Sequence, residues 1–179
     1  MRKRTGETGL RKSSVMARID SFLAKGGRTI RISSLHHLAF LKDRKGITIM
    51  TNMPLPVCNS MAAEELRSLG VSMIQGWLEL EKKELEKLIE KSPLPVEIYC
   101  YGRPPLLSTR AQIAAEKRMT DLRGEEFRIV RRGVLTQILP GKVMEIPRVK
   151  GASAYLYDFH HARQDEKETF RFNFDTALN

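Results

Sequence analysis

Apolar residues follow two different periods in the first hundred positions of the chain. Short stretches such as TIRIS and ITIMT have the composition of strands, whereas MAAEELRSLG and EKKELEKLIEKS place apolar residues every three or four positions, as helices do. The pattern predicts strands at 29–33, 47–51, 71–75 and 95–101, and helices at 35–42, 61–70 and 81–92. This βαβαβαβ order favours a parallel sheet covered by helices.

The pattern changes after residue 120. EFRIVRR, VLTQIL, KVMEI and SAYLYDF are short strand-like stretches separated by Arg-Gly, Pro-Gly and Lys-Gly turn signals, which predict a β-hairpin or meander and a closing strand. In the tail, Phe170, Phe172 and Phe174 alternate, as in an edge strand or a hydrophobic cap. We therefore divide the chain into a flexible basic arm (1–28), an α/β domain (29–160) and a C-terminal tail (161–179).

Positive charge is concentrated at the N-terminus. Residues 1–31 hold nine Lys or Arg against Glu7 and Asp20, which accounts for +7 of the net charge of +10. Such a segment can bind RNA phosphates by releasing counterions, and the alternative is a solvated terminus with no partner. Residues 1–31 contain no interleaved aromatic residues beyond Phe22 and no nucleic-acid motif.

Cysteine content and hydropathy point to a cytoplasmic protein without a membrane partner. The two cysteines, Cys58 and Cys100, are too few for a disulfide framework and suit a reducing compartment. The apolar runs are far too short to span a bilayer, and no apolar stretch follows the basic N-terminus as it would in a secretory signal.

The predicted strand at 95–101 contains the first candidate for chemistry. Alternation places Val96, Ile98 and Cys100 on one face, where a free cysteine acts as a small hydrophobic residue. Glu97 lies on the opposite face. A carboxylate in the middle of a parallel strand is costly unless it faces a cleft or pairs with an arginine, so we expect Glu97 to be either a catalytic group or half of a structural ion pair.

The ends of the predicted strands contain further candidates. In parallel α/β folds, ligands bind outside the carboxyl ends of the strands. Beside Glu97 we expect Glu79 to act in acid–base catalysis or substrate anchoring, and Arg103 and Arg110 to bind an anionic group. The predicted substrate-binding residues are Asn52, Asn59, Tyr101, Gly102, Arg103 and Arg110.

The four histidines form two adjacent pairs, His36-His37 and His160-His161. Adjacent residues do not face each other on a helix or strand, and a pairing of Asp158 with His160 would supply only two ligands. We therefore predict no metal site.

Several blocks occur in an order known from one protein family. These blocks are PLPVCNSMAAEELRSLGV, Glu79 with the helix after it, PLPVEIYCYGRPPLLSTR, and TDLRGEEFRIV. Matches to a Leu-(Leu/Met)-x-x-Arg stretch and an Asp-Arg-(Lys/Arg)-Gly-x-x-Phe stretch are Leu106, Leu107, Arg110, Asp121, Arg123, Gly124 and Phe127, with Leu122 departing from the usual Arg. Over roughly residues 29–160 the chain thus resembles the collagenase-like peptidase U-32 family.

The resemblance implies a TIM-type barrel, of which this chain matches only the C-terminal half. We therefore expect an α/β fold that forms a partial TIM-type barrel with a C-terminal β-hairpin or meander, in a truncated or partial family member. A half barrel would pair with a second half-barrel chain or with another copy of itself.

The resemblance also implies an iron–sulfur cluster, which the chain does not support. Family members that hold a cluster have cysteines after the Leu-x-x-Arg stretch, whereas here AQIAAEKRM follows Arg110. Cluster ligation takes four thiolates, and this chain has two cysteines, far apart in the sequence. We expect no cofactor.

Two functions follow from these observations. The first is a peptidase U-32-like enzyme with a cleft at the strand ends, although no nucleophile–base pair is visible in the sequence. The second is a non-enzymatic module that binds RNA or assists RNA modification, as some relatives do.

Overall fold

The first half of the chain arranges its strands in parallel. The computed structural model describes residues 6–115 and 117–174. Strand β1 (Thr29–Ile32) pairs with β2 (Thr48–Thr51), and β3 (Ile74–Gln75) pairs with β4 (Val96–Gly102), in parallel register. A single bridge between Met50 and Met73 links the two pairs. The four strands predicted for this half are confirmed, although β3 has only two residues.

Helices connect these strands as predicted. A 3₁₀ helix (Leu35–Phe40) follows β1, α2 (Ser60–Ser68) follows β2, and α3 (Lys82–Lys91) follows β3. Their buried residues are Ala63 and Leu66 in α2, and Leu85 and Leu88 in α3. These side chains join the core formed by β1, β2, β3 and β4. Each helix buries one face in this core, so its apolar residues recur every three or four positions.

The N-terminal segment forms a helix where we expected a flexible arm. Helix α1 covers Gly6–Ala24. Ile19 packs against the hydrophobic core, and Asp20 forms an ion pair with Arg44. Ile19 therefore anchors the end of α1, while Arg18 and Phe22 stay exposed.

A separate antiparallel sheet follows β4. Its strands are β5 (Leu107–Thr109), β6 (Arg118–Thr120), β7 (Glu126–Arg132) and β8 (Leu135–Pro140), in the spatial order β5-β8-β7-β6. The hairpin predicted beyond residue 120 is confirmed as β7–β8, which turns at Gly133. The two shorter strands, β5 and β6, were not predicted.

The last three strands complete a mixed sheet around β4. Strand β10 (Ala154–Tyr157) pairs with β4 in parallel, β9 (Val143–Glu145) pairs with β4 in the antiparallel direction, and β11 (Thr169–Arg171) pairs with β9 in parallel. Strand β11 lies at the edge of this sheet, within the predicted tail.

The expectation of a partial TIM-type barrel is wrong. The sheets are mostly mixed or antiparallel, the structure is 22% helical and 29% strand, and the described residues form no closed barrel. The physical reason lies at β3, which covers only the first two residues of β4. The far end of that edge of β4 is left open, and Met144 and Glu145 of β9 pair with it from the opposite direction.

The core surrounds β4 on both faces. Val96, Ile98, Tyr99 and Cys100 are all at most 5% exposed. Cys100 belongs to the apolar cluster, and burial raises the pKa of its thiol. The interpretation of Cys100 as a packing residue is therefore confirmed.

Candidate functional site

A polar cleft lies where the carboxyl ends of four strands meet the antiparallel sheet. Its volume is about 540 Å³. Ser33 and Asn52 come from the ends of β1 and β2, Arg103 follows β4, and Asp158 follows β10. The opposite wall comes from β5, β7 and β8, through Ser108, Arg132, Leu135, Gln137 and Leu139. We call this the histidine cleft, because its lining also includes all four histidines of the chain.

The four histidines approach the cleft from two separate segments. His36 and His37 lie on the 3₁₀ helix after β1, and His160 and His161 follow β10. The ring centroids are 4.2 Å apart in the first pair and 4.4 Å apart in the second. The sequence shows the two pairs, but their convergence depends on β1 and β10 ending on the same side of the fold.

Arg132 connects the second histidine pair to the antiparallel sheet. One guanidinium nitrogen contacts Nε2 of His160 and lies 3.0 Å from Nε2 of His161. Because arginine can only donate, a hydrogen bond to either ring requires its Nε2 atom to be the acceptor. Burial lowers the pKa of His161, and His160 and Arg132 lower it further. The pKa of His37 is lowered by burial and by His36.

The carboxylate that lines the cleft is occupied by neighbouring donors. Asp158 accepts a hydrogen bond from the backbone N–H of His160 at 2.9 Å and a longer one from the Tyr99 hydroxyl at 3.4 Å. Burial and the negative charge of Asp158 raise the pKa of Tyr99. Asp158 therefore fixes the histidine loop, the segment after β10 that contains His160 and His161. Because Asp158 is used in this way, the cleft remains rich in hydrogen-bond donors.

A hydroxyl–imidazole pair lies at the end of β1. The Ser34 hydroxyl oxygen is 2.8 Å from Nδ1 of His36. Both side chains line the histidine cleft. A serine two residues before a histidine carries no motif by itself, so the sequence alone did not indicate this pair.

Arg103 lines the cleft, and its hydrogen bonds join the segments that form the cleft walls. It is 2% exposed and donates to the carbonyl oxygens of Gly141 at 3.2 Å and His161 at 2.5 Å. It also forms an ion pair with Glu166 at 2.9 Å, and the hydrogen bond from Arg103 lowers the pKa of Glu166 to about 2.

Gly102 allows β4 to end against the histidine loop. Its φ is +135°, and a Cβ atom would lie 2.3 Å from the Tyr99 hydroxyl and 2.5 Å from the carbonyl oxygen of Asp158. Any larger residue would displace the chain on which His160 and His161 are mounted.

Glu97 forms an ion pair beneath the cleft and does not line it. Its two carboxylate oxygens accept from Arg31 at 2.6 and 2.7 Å, and Gln75 donates to it at 3.1 Å. The Gln75 side-chain oxygen accepts from the backbone N–H of Met53 at 3.0 Å. This network joins β1, β3 and β4 to the loop after β2.

Glu79 lies in a neighbouring cleft of about 340 Å³ that is mainly apolar. It accepts a hydrogen bond from the Trp77 indole at 3.1 Å. The structure does not bring Glu79 and Glu97 into one cavity, so they do not form a carboxylate pair.

The remaining predicted site residues are dispersed. Asn52 lines the histidine cleft, whereas the Asn59 side chain caps α2 by accepting from the N–H of Ala62 at 2.9 Å. The Tyr101 hydroxyl donates to the carbonyl oxygen of Arg163 at 2.5 Å. Arg110 lines another depression at the tip of the antiparallel sheet.

The composition of the described residues bears on the class of site that these residues can form. They contain no group of three or more His, Cys, Asp or Glu arranged to hold a metal ion. Nor does the part of the chain that the structure describes include a helix long and apolar enough to cross a membrane.

Comparison with known proteins yields no relative. No protein-family model matches the chain, and neither a curated protein nor a solved structure is detectably similar to it.

Proposed function

We propose that this protein is a non-enzymatic RNA-binding module that holds phosphate groups in the histidine cleft. The observation that carries the proposal is the composition of this cleft. Arg132 and four histidines face a space in which Asp158 is already hydrogen-bonded, and Arg103 is neutralised by Glu166. Arginine and imidazole N–H groups are the donors that phosphate oxygens accept from.

The remaining polar groups of the cleft suit RNA. Asn52 and Gln137 carry both a donor and an acceptor, as do the hydroxyls of Ser33, Ser34 and Ser108. Groups of this kind can bind the ribose 2′-hydroxyl, which both donates and accepts. The net charge of +10 would attract a polyanion from a distance.

Residues 1–31 are the second part of the proposed RNA path. Arg18, Lys25 and Arg28 are exposed on and just after α1. They would add phosphate contacts that do not depend on base sequence. Pairing with a second chain or copy stays a prediction, as does the cytoplasmic location suggested by the free cysteines Cys58 and Cys100.

Salt-dependent binding tests this function. We expect a single-stranded RNA of about 12 nucleotides to bind with an affinity that falls steeply with salt concentration, measured by fluorescence anisotropy. Arg132→Ala should weaken binding about five- to tenfold and reduce the log–log salt slope by about 0.7, the value for one single-strand phosphate contact.

Arg123→Ala is the matched control, because Arg123 is an exposed arginine of the β6–β7 turn that does not line the cleft. The proposal requires a smaller effect from this variant than from Arg132→Ala. Absent or salt-independent binding, or equal effects of the two variants, would refute it.

A second candidate function is peptide hydrolysis, which the U-32 resemblance implies. The observation in its favour is the Ser34–His36 pair, in which a serine hydroxyl faces an imidazole nitrogen in the cleft. In this scheme His36 takes the Ser34 proton as the oxygen attacks a peptide carbonyl, then protonates the departing amine, and water releases the acyl group. Neither Glu97 nor the buried Cys100 is placed for this step.

A fluorogenic peptide library checks the second candidate. If it is right, the purified protein cleaves at least one peptide, and Ser34→Ala lowers the rate by roughly 10³-fold or more. Ser153→Ala, an exposed serine away from the cleft, should leave the rate unchanged. Cleavage that survives Ser34→Ala would exclude the pair as its source.

A further inference from the structure

Two apolar clefts follow the histidine cleft in series, each sharing lining residues with the one before it. The first, of about 340 Å³, shares Met53 and Pro105 with it and is also lined by Trp77 and Glu79. The second, of about 300 Å³, shares Leu106, Met144 and Phe172 with the first. We call these two clefts together the aromatic groove. The series runs from the polar histidine cleft to the mainly apolar aromatic groove.

The aromatic groove offers flat apolar surface beside a phosphate site. Trp77 lines its first part, Phe172 lines both parts, and Phe127 and Phe170 line the second. Trp77 and Phe172 are only partly buried, and Phe170 is 53% exposed. Single-stranded nucleic acids are bound by this combination, in which a cationic track holds the backbone and aromatic rings stack on the bases.

Glu79 adds a polar group at the edge of the groove. Within the described part of the chain, its hydrogen-bond donor is the Trp77 indole, which reaches one carboxylate oxygen. A carboxylate only accepts hydrogen bonds, so it selects a base edge that donates. Guanine presents two adjacent donors, N1–H and the N2 amino group, and a carboxylate can accept both, whereas uracil presents only one.

We propose that the aromatic groove binds an unstacked guanine of the RNA, with Trp77 stacking on the base and Glu79 accepting from its Watson–Crick edge. This inference rests on the proposed RNA-binding function and assigns it a base preference. The groove adjoins the histidine cleft at Met53 and Pro105, so a phosphate and a base of one RNA strand would lie in neighbouring clefts.

The experiment compares oligonucleotides that differ at one base. Uridine 8-mers carrying a single central guanosine, inosine, adenosine or uridine are titrated into the full chain at fixed salt. We expect the guanosine oligonucleotide to bind roughly tenfold more tightly than the uridine one, since stacking and base-edge contacts each contribute at this level. Inosine lacks the N2 amino group and should lose about threefold or more of this gain.

The chain contains one tryptophan, Trp77, which gives a direct signal for stacking. Its fluorescence should be quenched by the guanosine oligonucleotide and not by inorganic polyphosphate, which occupies the histidine cleft alone. Trp77→Ala should remove the preference while leaving the binding of polyphosphate unchanged.

Glu79→Gln separates base recognition from charge. Removing a negative charge should slightly strengthen the binding of every oligonucleotide, whereas the loss of the second acceptor should weaken the preference for guanosine. Glu90→Gln, on the exposed side of α3, is the charge-matched control and should keep the preference. Thermal unfolding of each variant confirms that it folds.

The outcomes distinguish this inference from the function on which it rests. If no oligonucleotide binds in a salt-dependent manner, the proposed function fails. If all four bind equally well, or if the guanosine preference survives both Trp77→Ala and Glu79→Gln, RNA binding stands and the guanine site is refuted. The groove would then belong to another occupant, such as an apolar peptide.

Discussion

Replacing Arg103 with alanine is expected to lower the free energy of unfolding by roughly 3–5 kcal/mol, the range for breaking a buried ion pair. The side chain is 1% exposed and ties three segments together. It donates to the carbonyl of Gly141 between β8 and β9, to the carbonyl of His161, and to the carboxylate of Glu166. Alanine leaves these acceptors without their donor and opens a cavity.

Chemical denaturation of wild-type protein and variants measures this effect. Arg128→Ala is the matched control, because Arg128 also approaches Glu166, at 3.9 Å, but its side chain is 41% exposed. An exposed pair of this kind contributes about 1 kcal/mol or less. Equal losses from the two variants would show that Arg103 does not hold the walls of the cleft.

The Arg103–Glu166 pair also predicts a pH dependence. The pKa of Glu166 is lowered to about 2 in the folded chain, so its contribution to stability is present above the ordinary carboxyl value of 4.5 and is lost as the pH falls towards 2. Arg103→Ala should flatten the stability profile between these two values. A profile that keeps the same slope in the variant would contradict the pairing.

Replacing Arg31 with alanine is expected to cost about 3 kcal/mol of unfolding free energy, because it leaves the Glu97 carboxylate buried without its cation. The Glu97 side chain is 5% exposed and accepts from both terminal nitrogens of the guanidinium. The hydrogen bond from Gln75 remains, but the neutral Gln75 amide cannot balance the negative charge of Glu97. Thermal and chemical denaturation should both show the loss.

A double-mutant cycle identifies the source of that loss. Arg31→Met with Glu97→Gln removes both charges, and it should be more stable than Arg31→Met alone. Arg67→Ala breaks the exposed pair with Glu64 and serves as the control, because a solvent-exposed pair contributes little to stability. If the double variant is no more stable than Arg31→Met, the buried charge is not what destabilises the single variants.

Local pattern predicts the strands and helices between residues 29 and 102 well, because each depends on neighbouring residues. The period of Leu85 and Leu88 fixes the buried face of α3, and the Asn59 position before α2 is occupied by a residue that caps it. The alternation in the strand at 95–101 likewise identifies β4, with Cys100 in the core.

Sheet topology is not encoded in the same local way. The expected barrel requires every strand to have parallel neighbours, but β4 receives an antiparallel neighbour at Tyr101 and Gly102. That pairing depends on how short β3 is and on where the chain returns after β8. Both are consequences of tertiary packing, so the βα period alone could not exclude them.

The histidine cleft likewise combines residues that local pattern predicts with residues that only tertiary packing brings together. Placing Asn52 and Arg103 at strand ends was correct, and both line the cleft. His36 and His160 are 124 positions apart in the chain, and only the shared direction of β1 and β10 brings them to one end of the fold. Arg132 is the last residue of β7 in the antiparallel hairpin. The rule that ligands bind at the carboxyl ends of parallel strands does not apply to it.

The binding of RNA in the histidine cleft can be tested most directly through the histidine rings. All four histidines of the chain line this cleft, so ring resonances in a long-range ¹H–¹⁵N correlation spectrum report on the cleft alone. We predict that resonances from both pairs, His36-His37 and His160-His161, shift as single-stranded RNA is added at low salt. Half of the full shift should be reached at the dissociation constant found by anisotropy, and Arg132→Ala should move this midpoint to an RNA concentration about five- to tenfold higher. Ring resonances that stay in place while RNA binds would contradict the account, because the RNA would then lie elsewhere on the protein.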